Sequence, residues 1–156
     1  MSKKFITVGV TGLAVRQDGS FLLTQRNEPT DPLFHLKWNI PGGGMEWGEK
    51  PEETLIREFK EELGVTLGDG PLGYISKYPV PVTALWETAH ILLLTYAVDI
   101  GDQAIDLTRD PEHETASYRW FTLSELDTLD CLPQTKETVE AVFAQISKAG
   151  SINLHV

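Results

Sequence analysis

Gly43-Gly44-Met45-Glu46-Trp47-Gly48-Glu49-Lys50-Pro51-Glu52-Glu53-Thr54-Leu55-Ile56-Arg57-Glu58-Phe59-Lys60-Glu61-Glu62-Leu63-Gly64-Val65 is the most informative run in the chain. Proline tolerates the first position of a helix, where its missing N–H has no partner to lose, so a helix is expected to open at Pro51. Glu52 and Glu53 then lie at the positive end of the helix dipole. Leu55, Ile56, Phe59 and Leu63 recur at the spacing of one buried helical face, and Gly64 stands where a C-terminal cap belongs. The pattern predicts a helix over 51–63.

The same run is crowded with charge. From Glu46 to Glu62 there are seven acids and three bases, a local charge of −4. On a helix Glu58, Glu61 and Glu62 sit at i, i+3 and i+4, so their carboxylates emerge on one face and repel by about 0.2–0.5 kcal/mol per pair. The ordinary reading of three helical glutamates is a solvated face. Here the neighbours argue otherwise. Phe59 and Leu63 bring an apolar side next to the acids, Arg57 offers a planar fork for a carboxylate, and the glycine-rich Pro41-Gly42-Gly43-Gly44 lies just ahead. A divalent cation would turn repulsion into coordination. Oxygen donors without cysteine or an obligatory histidine suit magnesium or manganese rather than zinc.

The whole chain has 156 residues, 41% hydrophobic and 23% charged, the composition of one globular domain. Its formal net charge of −10 argues against a nucleic-acid backbone or an anionic membrane as an unassisted partner. Met1-Ser2-Lys3-Lys4 is followed by no apolar export segment, and the longest apolar stretch, near Ile91–Val98, is far shorter than a membrane helix. Cys131 is the single cysteine, which removes an intrachain disulfide and a thiolate zinc site. A cytoplasmic setting is expected.

Outward from the helix the chain alternates strand and turn. Residues 5–16 and 21–26 flank Gln17-Asp18-Gly19-Ser20 and read as a hairpin. The phase change from Ile6, Val8, Val10 to Leu13, Val15 around Gly12 reads as a bulge or bend. Trp38-Asn39-Ile40 is a short apolar piece. Further β-like runs fall at 72–80 and 85–98, a polar loop at 99–115, and a strand through Tyr118–Phe121. Thr122-Leu123-Ser124-Glu125 has capping-box spacing for a short helix. Val139, Val142, Phe143 and Ile146 give a last amphipathic helix over 135–148. This is a single α/β domain over 1–156, its mixed sheet covered by helices.

Gly43, five residues, Glu49, seven residues, and then Arg57-Glu58-Phe59-Lys60-Glu61-Glu62-Leu63-Gly64-Val65 resembles the 23-residue signature of the Nudix hydrolases at each fixed polar and glycine position. Phe59 departs softly, since the family usually carries an aliphatic residue there. The hairpin ending Leu22-Leu23-Thr24-Gln25-Arg26, the lead-in Trp38-Asn39-Ile40-Pro41-Gly42-Gly43 and the closing Arg119-Trp120-Phe121-Thr122-Leu123-Ser124-Glu125-Leu126 extend the likeness over roughly 5–146. The resemblance implies an α/β/α sandwich and metal-dependent cleavage of a nucleoside diphosphate linked to another group. It implies Glu58, Glu61, Glu62 and the carbonyl of Gly42 as ligands of magnesium or manganese. It makes Arg57 and Glu49 partners that orient the cluster, and it leaves Glu61 and Glu114 as alternative general bases for the attacking water.

Arg26, at a strand end, is a candidate for a substrate phosphate. Among Trp38, Trp47 and Trp86, which could stack on a base, Trp38 reads as core and Trp47, beside Gly48, as the better ligand contact. His35 and His113 are candidates for acid–base assistance; His90 and His155 are assigned nothing. A nucleoside triphosphate, a nucleotide sugar and a dinucleoside polyphosphate all satisfy the signature, and the loops 27–37, 77–88 and 99–115 would choose among them. The competing reading is a catalytically silent nucleotide-binding or regulatory module, which loss of the glutamates would favour; all are present. An RNA-decapping role would call for a basic surface. A homodimer paired through strands or the hairpin is compatible with such a domain, though no residue demands it.

Overall fold

The computed structural model describes residues 3–68, 73–85 and 89–148. Trp86 and His155 lie outside the described residues. The order is β1 (Ile6–Ala14), β2 (Phe21–Arg26), β3 (Trp38–Asn39), β4 (Gly42–Gly44), α1 (Pro51–Leu63), β5 (Tyr74–Ile75), β6 (Val80–Leu85), β7 (His90–Asp99), β8 (Thr115–Phe121) and α2 (Thr135–Lys148). Short 3₁₀ turns cover Leu107–Arg109 and Leu123–Thr128. Among the described residues, five strands form a mixed sheet in which β1 pairs parallel with β7 and antiparallel with β4, while β5 and β6 both pair antiparallel with β7. A second, antiparallel sheet runs β3-β2-β8.

That second sheet revises the expected hairpin. Arg16 N–H donates to the Ser20 carbonyl and Gly19 N–H to the Arg16 carbonyl, both at 2.9 Å. Gly19 has φ 85°, and Asp18 instead accepts the Ser20 N–H on Oδ1 at 2.9 Å. Beyond a single bridge between Val15 and Phe21 the arms part. β1 enters the mixed sheet and β2 the smaller one, because each finds a longer partner elsewhere: Ile6–Ala14 against His90–Val98, and Phe21–Gln25 against Phe121–Ser117.

Alternation along β1 and β2 builds an α/β/α sandwich. Val10, Ala14 and Leu22 point to one side, into a core with Leu55, Phe59 and Leu63 of α1. Leu13, Val15, Phe21 and Leu23 point to the other, against Val139, Val142 and Ile146 of α2. Trp38 packs edge-on to Phe121, centroids 5.0 Å apart, in that second core. The expected bulge at Gly12 is absent, since β1 keeps one register against β7 throughout. Gly12 is a space instead. A Cβ there would stand 2.7 Å from Val98 Cγ2 and 2.9 Å from Phe59 Cε1. The ring of Phe59, the one departure from the signature, occupies the room that this glycine leaves.

Helix α1 covers the predicted 51–63. Gly64 at φ 65° closes it, its N–H donating to the Lys60 carbonyl and the Val65 N–H to the Phe59 carbonyl, both at 3.2 Å. The Thr122 N–H donates to Glu125 Oε1 at 3.1 Å as the capping box requires, although the turn it starts is 3₁₀. Gly12→Ala is expected to lower stability by about 1–3 kcal/mol through overpacking against Phe59 and Val98. Gly44→Ala, with nothing within 4 Å of its Cβ, is the control and should stay within about 0.5 kcal/mol. Thermal unfolding followed by circular dichroism checks both.

Candidate active site

The glycine run is the strand β4, and it lies between β1 and the acidic face of α1. Its register sets Gly42 against Thr11, Gly43 against Val10 and Gly44 against Gly9. Gly42 has φ 151°, and a Cβ there would meet the Val10 carbonyl oxygen at 2.1 Å. A Cβ on Gly43 would stand 2.3 Å from Glu58 Oε1. Only a bare backbone lets the Glu58 carboxylate lie on this strand.

Arg57 holds the helix to the loop. Its Nε donates to Glu49 Oε1 at 2.6 Å and Nη2 to Glu49 Oε2 at 3.1 Å, a two-pronged pair. Nη2 also donates to the Gly44 carbonyl at 3.1 Å, and Nη1 to Glu58 Oε1 at 2.8 Å. Glu46 and Glu61 stand farther from Nη1, at 3.7 and 3.5 Å. Glu49 in turn accepts the Thr54 hydroxyl at 2.6 Å and the Glu46 N–H at 2.9 Å. Hydrogen bonds from Arg57, then from Thr54 and Glu46, hold the Glu49 carboxyl down at about 2, and the Glu49 pair raises the Arg57 guanidinium above its ordinary value.

Glu62 is the buried acid, 8% exposed. Burial first, then the charges of Glu58, Glu114 and Asp110, push its carboxyl up to about 9, with Arg26 opposing. The Glu58 carboxyl is itself raised by burial, against the opposing pull of Arg57. Glu114, just ahead of β8, is raised by burial and by a hydrogen bond to Glu112, again opposed by Arg26. Arg26 and Asp110 therefore act on both Glu62 and Glu114, while Glu61 stays half exposed beside Arg57.

Among the described residues no three His, Cys, Asp or Glu side chains are placed together so as to hold a metal ion. Glu58 against the bare strand at Gly43, with the buried Glu62 one helical turn on, gives a donor set made only of oxygens that nevertheless fits a hard divalent cation.

Beside β4 opens a cavity of about 400 Å³. Its floor is the α2 face of the mixed sheet, where the hydroxyls of Thr11 and Thr95 bond each other at 2.7 Å. Leu93, Phe34 and Leu132 give apolar walls, Asn39 and Gln134 carry amides, and Arg26 and Glu28 stand at the end toward the acids. Arg26 pairs with Glu28, and its Nε is buried with no hydrogen-bond partner among the described residues. Trp47 is fully exposed and is not among the residues lining this cavity. His35 accepts the Glu28 N–H on Nδ1 at 3.2 Å, a loop-holding contact.

The NUDIX domain profile matches residues 5–143. The chain belongs to the Nudix hydrolase family. It is a hydrolase of phosphoric anhydride bonds in nucleotides, in a family dependent on divalent metal. The nucleoside triphosphatase NudI of Enterobacter sp. (strain 638) is 31% identical over 127 residues, 80% of this chain and 88% of that protein. The 8-oxo-dGTP diphosphatase of Haemophilus influenzae is 42% identical over 65 residues, 42% of this chain and 46% of that one. In fold, the MutT protein of Methanosarcina mazei Go1 superposes with a TM-score of 0.75 at 20% identity, covering 93% of this chain and 98% of that one.

Within this Nudix site four contributors escape a reading of the sequence: Asp110, Glu112, Asn27 and Glu28. Asp110-Pro111-Glu112-His113-Glu114 does carry a signal, since an aspartate opening a turn bonds backbone N–H groups two residues on. Replacing Arg57 by lysine keeps the charge but cannot serve Glu49, Gly44 and Glu58 together. Arg57→Lys is expected to lose on the order of 10- to 100-fold in turnover with its circular dichroism unchanged.

Proposed function

We propose that this Nudix domain hydrolyses a nucleoside triphosphate to the monophosphate and pyrophosphate. The observation that carries the reading is the cavity beside β4: it is of a size for a single nucleoside, and it ends at Arg26 on the way to Glu58, Glu62 and Glu114. The triphosphatase named among the relatives, matched over most of its length, points the same way. Apolar walls with a few amides and hydroxyls are the ordinary chemistry of a base-binding pocket.

Glu58, Glu61, Glu62 and the Gly42 carbonyl are proposed to hold the cation, magnesium in the first place and manganese as its substitute. Bound there, a divalent ion supplies charge neutralisation for the diphosphate and lowers the pKa of a water. Arg26, its Nε unpartnered, takes a phosphate oxygen. Glu114 is proposed as the base that receives the proton of the attacking water, because it faces Glu62 and Arg26 whereas Glu61 faces Arg57. Arg57 and Glu49 keep loop and helix in one geometry. Trp47, on the exposed approach loop, is left for the outward end of a ligand. A cytoplasmic setting goes with the lone Cys131. The reading needs neither nucleic acid nor membrane nor a second copy of the chain.

Product analysis by chromatography with magnesium, over nucleoside triphosphates, nucleotide sugars, dinucleoside polyphosphates and ADP-ribose, tests the proposal. Monophosphate and pyrophosphate from a triphosphate are expected, with turnover lost in Glu61→Gln and Glu62→Gln and on chelation by EDTA. Full activity in both variants would sink the metal-site assignment. Tight nucleotide binding without turnover would make this a binding module.

A further inference from the structure

Glu114 does not hold its own position. It ends an exposed loop in which residues 111–113 face solvent. Under that loop Asp110 is only 4% exposed, and both its oxygens are engaged upward. Oδ1 accepts the Glu112 N–H at 3.0 Å and Oδ2 the Glu114 N–H at 2.7 Å. From the other side, at the end of β2, the Asn27 N–H donates to the Glu114 carbonyl at 2.7 Å, and Asn27 Nδ2 donates to the His113 carbonyl, also at 2.7 Å. His113 between the two clamps has φ 52°, a left-handed conformation uncommon outside glycine.

Satisfying two half-buried N–H groups does not require this. Water could serve both, and a buried carboxylate is costly unless its hydrogen bonds are strong. What the arrangement gains is a fixed backbone at Glu114, tied through Asn27 to the residue that follows Arg26. We propose that Asp110 is a positioning residue for the hydrolysis, with Asn27 as its counterpart, the two setting the Glu114 carboxylate toward Glu62 and Arg26. This rests on Glu114 being the base. A misplacement of about 1 Å is enough to cost a reaction on the order of 100-fold, and the catalytic consequence must then pass through Glu114 alone.

The test is a mutant cycle. Turnover of 8-oxo-dGTP and the four common deoxynucleoside triphosphates is measured with magnesium for Asp110→Asn, Asn27→Ala, Glu114→Gln and the two pairings with Glu114→Gln. Asp110→Asn preserves shape but turns one acceptor into a donor, so one of the two N–H groups loses its partner. The expected result is a fall in kcat of about tenfold or more with KM within about threefold, and no further loss when either change is added to Glu114→Gln. In the metal-free protein, amide exchange should quicken at residues 112 and 114 in Asp110→Asn while α1 keeps its protection. Losses that multiply in the double variants, or a raised KM with unchanged kcat, would show a merely structural role and overturn the proposal. If Glu114→Gln turns over like the native protein while Glu62→Gln does not, the assignment of Glu114 fails and takes the proposal with it. Should Asp110→Asn not fold, Asn27→Ala, which leaves the buried carboxylate in place, decides the same comparison.

Discussion

The five N–H donors of a guanidinium lie in one plane and cannot be moved independently. In this chain the Arg57 plane is shared among Glu49, the Gly44 carbonyl and Glu58, so the approach loop and the acidic face of α1 have one relative position. Without it, Glu46, Glu49, Glu58 and Glu61 would lose the cation that all four share. The contact propagates. Glu49, fixed by Arg57, also orders the loop through the Glu46 N–H and the helix through Thr54. Glu58, fixed by the same plane, lies against a strand that has to be glycine at 42 and 43. Signature spacing is thus a statement about the reach of one arginine.

The parting of β1 and β2 is what gives the acids something to act on. Had those arms remained paired, the mixed sheet would have continued into β2. By entering separate sheets they leave the Thr11–Thr95 floor open beneath Phe34, Asn39 and the start of α2, and they bring the end of β2 to the loop that carries Glu114. The proposed recognition and chemistry would therefore meet at Arg26 and Asn27, consecutive residues at the cavity and at the loop of Glu114 respectively.

Much of this was legible in the sequence, for identifiable reasons. Helix α1 carries its own start, face and stop between Pro51 and Gly64, and α2 carries its face, so local rules suffice. Glu58, Glu61 and Glu62 share a helix with those signals. Pairing is different, because β1 chooses a strand more than eighty residues away, and an Asp-Gly turn between two β-rich runs says nothing of that competitor. Gly12 looked like a bulge because a phase change in hydrophobicity does not reveal an aromatic ring from another element. Asp110 leaves only the trace of a turn-opening aspartate and Asn27 none, because each works by bonding backbone, and backbone has no letter in the sequence. Trp47 drew notice as an aromatic in the signature, yet nothing local could say that it would stand in solvent away from the cavity.

The central claim is the proposed seat for a divalent cation, made by Glu58 where it lies against β4 together with Glu61, Glu62 and the Gly42 carbonyl. Titration of the isotopically labelled native protein with manganese, followed by amide NMR, tests it most directly, since the ion broadens signals only near where it sits. The account predicts loss of signal centred on 42–44 and 57–62, with the loop at 112–114 next. Broadening centred elsewhere, or none at millimolar manganese, would contradict it.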